Sequence, residues 1–249
     1  MNCAGASAWD NAATALEYGA AAVDMYVRRP ALLQTSKARA ANYVAFYDAW
    51  PSLDPDDRWR LHCYLQRNAG PPPFETVHRT LAAGGKRFSV HFETTPRKAT
   101  LTGECVALHV DAETKLFDLV ILGTGFDVDI RRDRLVSGFS DRIATWADIS
   151  PGTDQSLRSR TPWLGSSFEL LALRDDPAGS DLSRIRLFNH AAAASLGLVS
   201  SDIPGAETGA GILARGLVFD LVRDNLGAIE NNIRLFNEFE LESTPFFKI

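Results

Sequence analysis

The sequence lacks an excess of positive charge. Of its 249 residues, 26 are Lys or Arg and 31 are Asp or Glu, which gives a formal net charge of -5. Non-specific binding of nucleic acid or of anionic lipid depends on a basic surface. We therefore expect neither nucleic acid nor a membrane as a partner.

Cysteine is scarce and unpaired. Cys3, Cys63 and Cys105 lie far apart and form no CxxC pair. Three scattered cysteines argue against a disulfide framework, a zinc site or a dithiol redox centre, and the five histidines show no ligand spacing either. We expect no metal, and a reducing, cytoplasmic setting fits this cysteine pattern best.

Long apolar runs are also missing. Stretches such as Leu119–Leu122 are far shorter than the roughly 20 residues that a membrane-spanning helix needs. Residues 1–3 lead directly into a helix-forming segment, without the basic and hydrophobic regions of a signal peptide. The 45% hydrophobic and 23% charged residues predict one or two ordinary globular cores.

The first 30 residues predict most of a dinucleotide-binding βαβ unit. An alanine-rich helix over residues 11–18 ends at Gly19, and residues 22–27 alternate as in a strand. The preceding turn reads Cys3-x-Gly5-x-x-Ala8, where the usual pattern is Gly-x-Gly-x-x-Gly/Ala. A buried strand normally precedes this turn, so we expect the chain to be truncated at its N-terminus.

The remaining chain predicts alternating helical, extended and loop-rich regions. A helical pattern covers residues 32–65, with a loop and a helix N-terminus inside it near Asp54. The other predicted elements are strands over 88–92, 106–110 and 117–122, a turn over 111–115, a loop-rich region through Gly165, and helices over 204–224 and 228–239.

The strongest local signal is the end of the third predicted strand. Residues 117–122 are apolar and lead into Gly123, Thr124, Gly125 and Phe126. Glycines permit positive φ angles and let the backbone approach a ligand closely. The pattern predicts a sharp turn beside a ligand, although an ordinary strand exit has the same composition.

Together, two segments resemble the class B flavin-dependent monooxygenases, which include flavin-containing, Baeyer–Villiger and N-hydroxylating enzymes. Residues 4–10, followed by Val27-Arg28-Arg29-Pro30, resemble the family's NADPH-binding fingerprint. Residues 118–129 resemble its Ala-Thr-Gly-aromatic linker, with Gly123 in place of alanine. The family's FAD-binding Gly-x-Gly-x-x-Gly motif and its signature pattern do not occur in this sequence, and Cys3 replaces the first glycine of the NADPH fingerprint.

The resemblance implies an α/β fold, a Rossmann-type flavoprotein with two dinucleotide-binding domains that lacks the N-terminal FAD-fingerprint region. Residues 1–118 would form a partial NADPH-binding Rossmann domain with a helical insertion. Residues 119–249 would form the C-terminal part of the FAD-binding domain. The implied activity is oxygen insertion into a small organic substrate with FAD and NADPH as cofactors, since the reduced flavin supplies the oxygen chemistry.

The resemblance also implies site residues. Gly5, Ala6, Ser7 and Ala8 would lie against the NADPH pyrophosphate at a helix N-terminus, and Arg28 and Arg29 would face the 2′-phosphate. Gly123, Thr124, Gly125 and Phe126 would mark the crossing to the FAD domain, but no catalytic residue is implied. The residues near His190 and the helix after Pro204 resemble the family's closing segment, which points helix N–H groups at the flavin.

Several alternatives stay open at this point. Arg28 and Arg29 are also compatible with a solvated strand end, and a lone His190 is often structural. Gly209-Ala210-Gly211 lacks the preceding strand of a phosphate loop, and the acidic and aromatic tail after Glu238 is more simply a core edge. The chain could equally be a catalytically silent remnant or a partner-dependent NAD(P)-binding module, whereas a thiol-disulfide flavoprotein is disfavoured by the unpaired cysteines.

Overall fold

The computed structural model describes residues 5–68, 70–173, 179–238, 240 and 245–246, without the side chains of 179 and 180. The strands are β1 (Val23–Tyr26), β2 (Phe88–His91), β3 (Lys98–Thr102), β4 (Cys105–Val110) and β5 (Glu113–Phe117). The helices are α1 (Ala6–Glu17), α2 (Val44–Ala49), α3 (Pro55–Arg67), α4 (Phe74–Gly84), α5 (Trp146–Ile149), α6 (Gln155–Arg158), α7 (Gly179–Leu182), α8 (Ala193–Leu196), α9 (Ile203–Asp224) and α10 (Leu226–Leu235). Short 3-10 turns join several of them.

The first unit is a parallel two-stranded sheet covered by two helices. β1 pairs with β2 in parallel, with Val23 opposite Phe88 and Tyr26 opposite His91. Parallel strands need a crossover, and α4 provides the helix immediately before β2. The helices α1 and α4 pack together, and Trp9 meets Phe88 edge to face with ring centroids 5.3 Å apart. The predicted α/β, Rossmann-type fold class is confirmed.

A three-stranded antiparallel meander follows this unit. β3, β4 and β5 pair in chain order, with Thr102 opposite Cys105 and Val110 opposite Glu113. Gly103 has a φ of +62° in the first turn, which suits a residue without a β-carbon. The predicted turn over 111–115 is shorter in the structure, because β5 already begins at Glu113.

The helical segment between β1 and α4 packs against the second half of the chain. The largest core cluster combines Trp50 and Leu65 with Phe168, Leu170 and Val199. The indole Nε1 of Trp50 donates to the carbonyl oxygen of Ala194 at 3.2 Å. This segment therefore forms one core with residues beyond 130, while α1, β1 and β2 form another. The domain boundaries at 118 and 119 stay a prediction.

Glycines let the long helix α9 lie directly on the preceding turn. A β-carbon on Gly209 would lie 2.1 Å from the carbonyl oxygen of Val199, and one on Gly205 would lie 2.9 Å from that of Leu198. Gly209 thus serves close packing inside α9, and the residues Gly209-Ala210-Gly211 form no phosphate loop. The predicted helix over 204–224 is confirmed.

Two sequence predictions of secondary structure are wrong in part. The predicted strand over 117–122 does not form: Phe117 ends β5, and residues 119–122 have no regular structure. Leu119 and Leu122 are 71% and 80% exposed, because no described strand lies alongside to hydrogen-bond with this segment and cover it. The helical pattern from residue 32 begins only at 38 and is broken into short pieces before α3.

Candidate functional site

Gly5, Ala6, Ser7 and Ala8 form the start of α1. Gly5 is the N-cap residue, with extended backbone angles and no side chain to cap the helix. The space beside its α-carbon is open to a distance of 4 Å, and Ser7 is exposed. A helix start of this kind presents backbone N–H groups and a positive dipole end to an approaching anion. Cys3 and Ala4, the first part of the predicted fingerprint, lie outside the described residues.

Arg28 and Arg29 follow β1 at the carboxyl end of the parallel sheet. The backbone pairing with the second strand extends to this point, since the N–H of Glu93 donates to the carbonyl oxygen of Arg29 at 3.0 Å. Arg28 is exposed, whereas the guanidinium of Arg29 donates to the carbonyl oxygen of Arg67 at the end of α3. Ligands of open parallel sheets bind at this edge. The Arg29 guanidinium is therefore engaged by the end of α3.

The linker glycine lies against the start of α1. A β-carbon added to Gly123 would be 2.7 Å from Cβ of Ala8. Any larger residue at position 123 would force the linker away from the helix. The structure thereby brings together two predicted motifs that are more than a hundred residues apart in sequence.

A cavity of about 770 Å³ opens where the linker meets the start of α9. The ring of Phe126 is 79% exposed and lies 5.7 Å from the imidazole of His190, centroid to centroid. Gly125, with a φ of +79°, turns the backbone just before Phe126. The remaining wall includes Asp129, Asn189, Ser201 and Ile203.

Asp202 precedes α9 but does not cap it with its side chain. Its Oδ2 instead accepts from Nδ2 of Asn42 at 3.2 Å, and Oδ1 of Asn42 accepts from the hydroxyl of Tyr47 at 3.1 Å. Burial, with the nearby Asp202 charge as a smaller cause, raises the pKa of Tyr47, which therefore stays a donor at neutral pH. The Asp202 carboxylate is in this way held in the cavity wall.

Two histidines lie near each other beside the cavity. Desolvation by burial, the nearby His190 and a backbone hydrogen bond to Ala193 act on His62, and the net effect lowers its pKa to about 4. Burial also lowers the pKa of His190. Both imidazoles are therefore neutral at pH 7 and can each donate and accept one hydrogen bond.

The other histidines have local partners. His91 lies 3.1 Å from a carboxylate oxygen of Asp24, and the two ring nitrogens of His109 meet the hydroxyls of Thr100 and Thr114 at 3.3 and 2.9 Å. Among the residues that the structure describes, no group of three or more His, Cys, Asp or Glu side chains is arranged to hold a metal ion.

Sequence reasoning found the start of α1, the linker and His190, but missed Asp202 in the cavity wall and the residues that lie behind or beside that wall. Asp202 carried one usable signal, since an Asp shortly before a proline is typical of a helix start. Asn42, Tyr47 and His62 carried none, because only tertiary packing brings the segment 42–62 to the start of α9.

Solved structures with a similar fold include an N-hydroxylase and a monooxygenase of amino acids. The ornithine N-hydroxylase of Kutzneria sp. 744, a complex with reduced FAD, NADP+ and L-ornithine, matches 87% of this chain with a TM-score of 0.60 at 14% identity. The L-lysine 6-monooxygenase of Pseudomonas syringae matches 86% with a TM-score of 0.57 at 17% identity. This chain has the fold of the flavin-dependent monooxygenases. The predicted resemblance to the class B flavin-dependent monooxygenases is confirmed.

One curated protein is similar to this chain in sequence. It is the FAD-dependent urate hydroxylase of Xanthomonas campestris pv. campestris, 28% identical over 228 residues, which are 90% of this chain and 48% of the relative. The chain also covers 52% of each of the two solved structures. It therefore spans about half the length of the proteins that it matches.

No protein-family model matches the chain. Within the described residues, no helix combines the length and the apolar character required to cross a membrane.

Proposed function

We propose that this chain is part of a flavin-dependent, NADPH-using monooxygenase that inserts an oxygen atom into a small organic substrate. The observation that carries the proposal is the contact of Gly123 with Ala8, since one linker then joins the predicted NADPH-binding helix to the cavity at Phe126. The proteins named above support it, since they include an FAD-dependent hydroxylase, an N-hydroxylase complexed with reduced FAD and NADP+, and a monooxygenase.

The large cavity fits the ring end of a flavin. Its volume of about 770 Å³ lies within the range of roughly 300–1,000 Å³ that is usual for small-molecule sites. The exposed ring of Phe126 offers a flat apolar contact to the flavin ring. When bound, the flavin would supply the oxygen chemistry. The chain's residues would bind it, orient it and exclude water.

NADPH would lie at the start of α1 and the end of β1. Gly5 leaves room for the pyrophosphate beside the N–H groups of the helix, and the exposed Arg28 can fork onto the 2′-phosphate. The guanidinium of Arg29 is bonded to the end of α3, so we assign it the positioning of that helix against β1. We propose a cytoplasmic location from the cysteine pattern.

A second candidate is an NAD(P)-binding module that depends on a partner. The observation that favours it is the exposure of Leu119, Ile121 and Leu122 at 71%, 50% and 80% in a segment that pairs with none of the described strands. Such a run is normally covered by another strand or by another chain.

Titration of the purified chain with FAD distinguishes the two candidates. We expect a dissociation constant in the measurable micromolar range, quenched flavin fluorescence, and several-fold weaker binding in Phe126→Ala. Phe74→Ala, at an exposed phenylalanine at the start of α4, serves as the matched control and should bind FAD like the parent. If FAD does not bind while NADPH does, the partner-dependent module is the better account.

A further inference from the structure

The linker continues along the wall of the large cavity as far as Ile130. Residues 126–130 all line this cavity, and Ile130 is buried in the largest core cluster. The ring of Phe126 is mostly exposed, so burial contributes little to holding it in place. Gly125, which precedes it with a positive φ, has wide conformational freedom. The place of Phe126 is therefore set by contacts of the neighbouring linker residues.

Arg160 makes two contacts with this part of the linker. Its Nη1 donates to Oδ1 of Asp127 at 3.1 Å, and its carbonyl oxygen accepts from the N–H of Ile130 at 3.0 Å. The side chains of Arg160 and Asp127 are 26% and 38% exposed, so water screens this ion pair only in part. Asp127 and Arg160 are 33 positions apart in sequence. The ion pair therefore joins the linker to a distant element of the fold.

Arg160 is itself held by α6 and, through that helix, by α3. Its Nε donates to the carbonyl oxygen of Ser156 in α6 at 3.2 Å. Asp154, the N-cap residue of α6, accepts from the indole Nε1 of Trp59 at 2.6 Å. Trp59 belongs to α3 and is buried. A series of hydrogen bonds therefore connects a buried side chain of α3 to the linker.

Two other arginines pair with carboxylates of the same segment. Arg132 lies 3.8 Å from Oδ2 of Asp127 and is 77% exposed, and ion pairs of this kind contribute little. Arg131 donates to Asp129, two residues before it. Both arginines belong to the same stretch of chain as their carboxylates. They can stiffen this stretch locally, but they do not fix it relative to α6.

We propose that Arg160 is a positioning residue of the flavin site, which acts through Asp127 to hold Phe126 at the cavity. This proposal rests on the proposed function, because Phe126 is the apolar contact that we assign to the flavin. Arg160 holds the linker after Phe126, and Gly123 holds it against α1 before Phe126. Without the Arg160 contact, the ring of Phe126 leaves its place beside His190.

Fluorine NMR of the chain without FAD tests this positioning directly. The chain is produced with para-fluorophenylalanine at its 14 phenylalanine positions, and Phe126→Leu identifies the Phe126 signal by its loss. We expect Arg160→Met to move this signal towards its position in the urea-unfolded chain. Asp127→Asn should move it in the same direction. Arg160→Lys keeps a positive charge beside Asp127 and should stay closer to the parent than Arg160→Met.

FAD titration of the same variants measures the consequence for the cofactor. Arg160→Met should weaken FAD binding by up to about fivefold and reduce the quenching of flavin fluorescence. Adding Arg160→Met to Phe126→Ala should weaken binding little further, because both changes remove the same contact. Arg234→Met, at an exposed ion pair of α10, is the matched control and should match the parent in both measurements.

An unmoved Phe126 signal in folded Arg160→Met would overturn the proposal, and so would fully additive losses of FAD affinity in the double variant. If Arg160→Met does not fold, Asp127→Asn decides by the same signal, since its amide keeps the size of the side chain and removes only the charge. A moved signal in a chain that binds no FAD supports the positioning by Arg160 and rejects the flavin cavity alone.

Discussion

Gly123 lies against Ala8 so closely that a β-carbon at position 123 would be 2.7 Å from Cβ of Ala8. Real β-carbon contacts are essentially never this short. The linker and the first helix are therefore fitted to each other through two small residues.

Gly123→Ala should lower the free energy of unfolding by roughly 1–3 kcal/mol, as overpacking against a fixed backbone does. Adding Ala8→Gly to Gly123→Ala removes the Cβ of Ala8 that the new β-carbon contacts. The double variant should therefore recover much of the lost free energy of unfolding. Gly138→Ala is the control, because a β-carbon there meets nothing within 4 Å. Urea unfolding of the parent, the two single glycine variants and the double variant gives the four free energies of unfolding. Equal losses of stability in Gly123→Ala and Gly138→Ala would refute the contact.

The packing of α9 predicts opposite effects at two neighbouring glycines. Gly209→Ala places a β-carbon 2.1 Å from the carbonyl oxygen of Val199 and should destabilise the protein, by roughly 1–3 kcal/mol. Gly211→Ala meets only the end of the Arg215 side chain, at 3.8 Å, and should stabilise the protein by up to about 1 kcal/mol through helix propensity. Thermal unfolding of the two variants tests this prediction. Melting temperatures that shift in the same direction in both variants would contradict the packing.

Arg28 and Arg29 should differ in their effects. Arg28→Ala should weaken NADP+ binding roughly tenfold and leave NAD+ nearly unchanged, because only NADP+ carries the 2′-phosphate. Arg29→Ala should mainly lower the melting temperature, since its guanidinium bonds to the end of α3. Calorimetric titration with both nucleotides separates the effects, with Arg234→Ala as the control. A similar loss for NAD+ and NADP+ in Arg28→Ala would argue against a phosphate contact.

The buried imidazole of His62 predicts a pH dependence of stability. Its pKa of about 4 in the folded chain lies below the value of 6.5 for a free histidine, so the unfolded chain binds the proton first as pH falls. Stability is therefore lost progressively between about pH 6.5 and 4, by at most about 3 kcal/mol.

His62→Gln should remove this part of the pH dependence, as measured by urea unfolding at several pH values. His78→Gln, at an exposed histidine on α4, should keep the parent's slope. An unchanged slope in His62→Gln would mean that His62 is readily protonated in the folded chain.

The sequence was sufficient for the local elements that have strong signals. The alanine-rich helix ending at Gly19, the strand after it and the helix after Pro204 follow from propensity, a glycine end and a proline start, and each is present. The apolar residues 119–122 led to the wrong prediction of a strand. A strand also needs neighbouring strands to pair with, and the local composition contains no information about them.

The site was only partly predictable for the same reason. Motif residues such as Gly123 and Phe126 are recognisable along the chain, whereas Asn42 reaches Asp202 in the cavity wall only because the helical segment packs against residues beyond 130. Long-range contacts of this kind leave no local pattern in the amino-acid sequence.

The most direct test of the central claim is anaerobic reduction of bound flavin. The chain is loaded with FAD, separated from free cofactor and mixed with NADPH or NADH, and the visible flavin absorbance is followed. We predict that NADPH bleaches the flavin faster than NADH, and that Arg28→Ala reduces this preference. Bound FAD that NADPH leaves oxidised would contradict the claim that this chain brings both cofactors together.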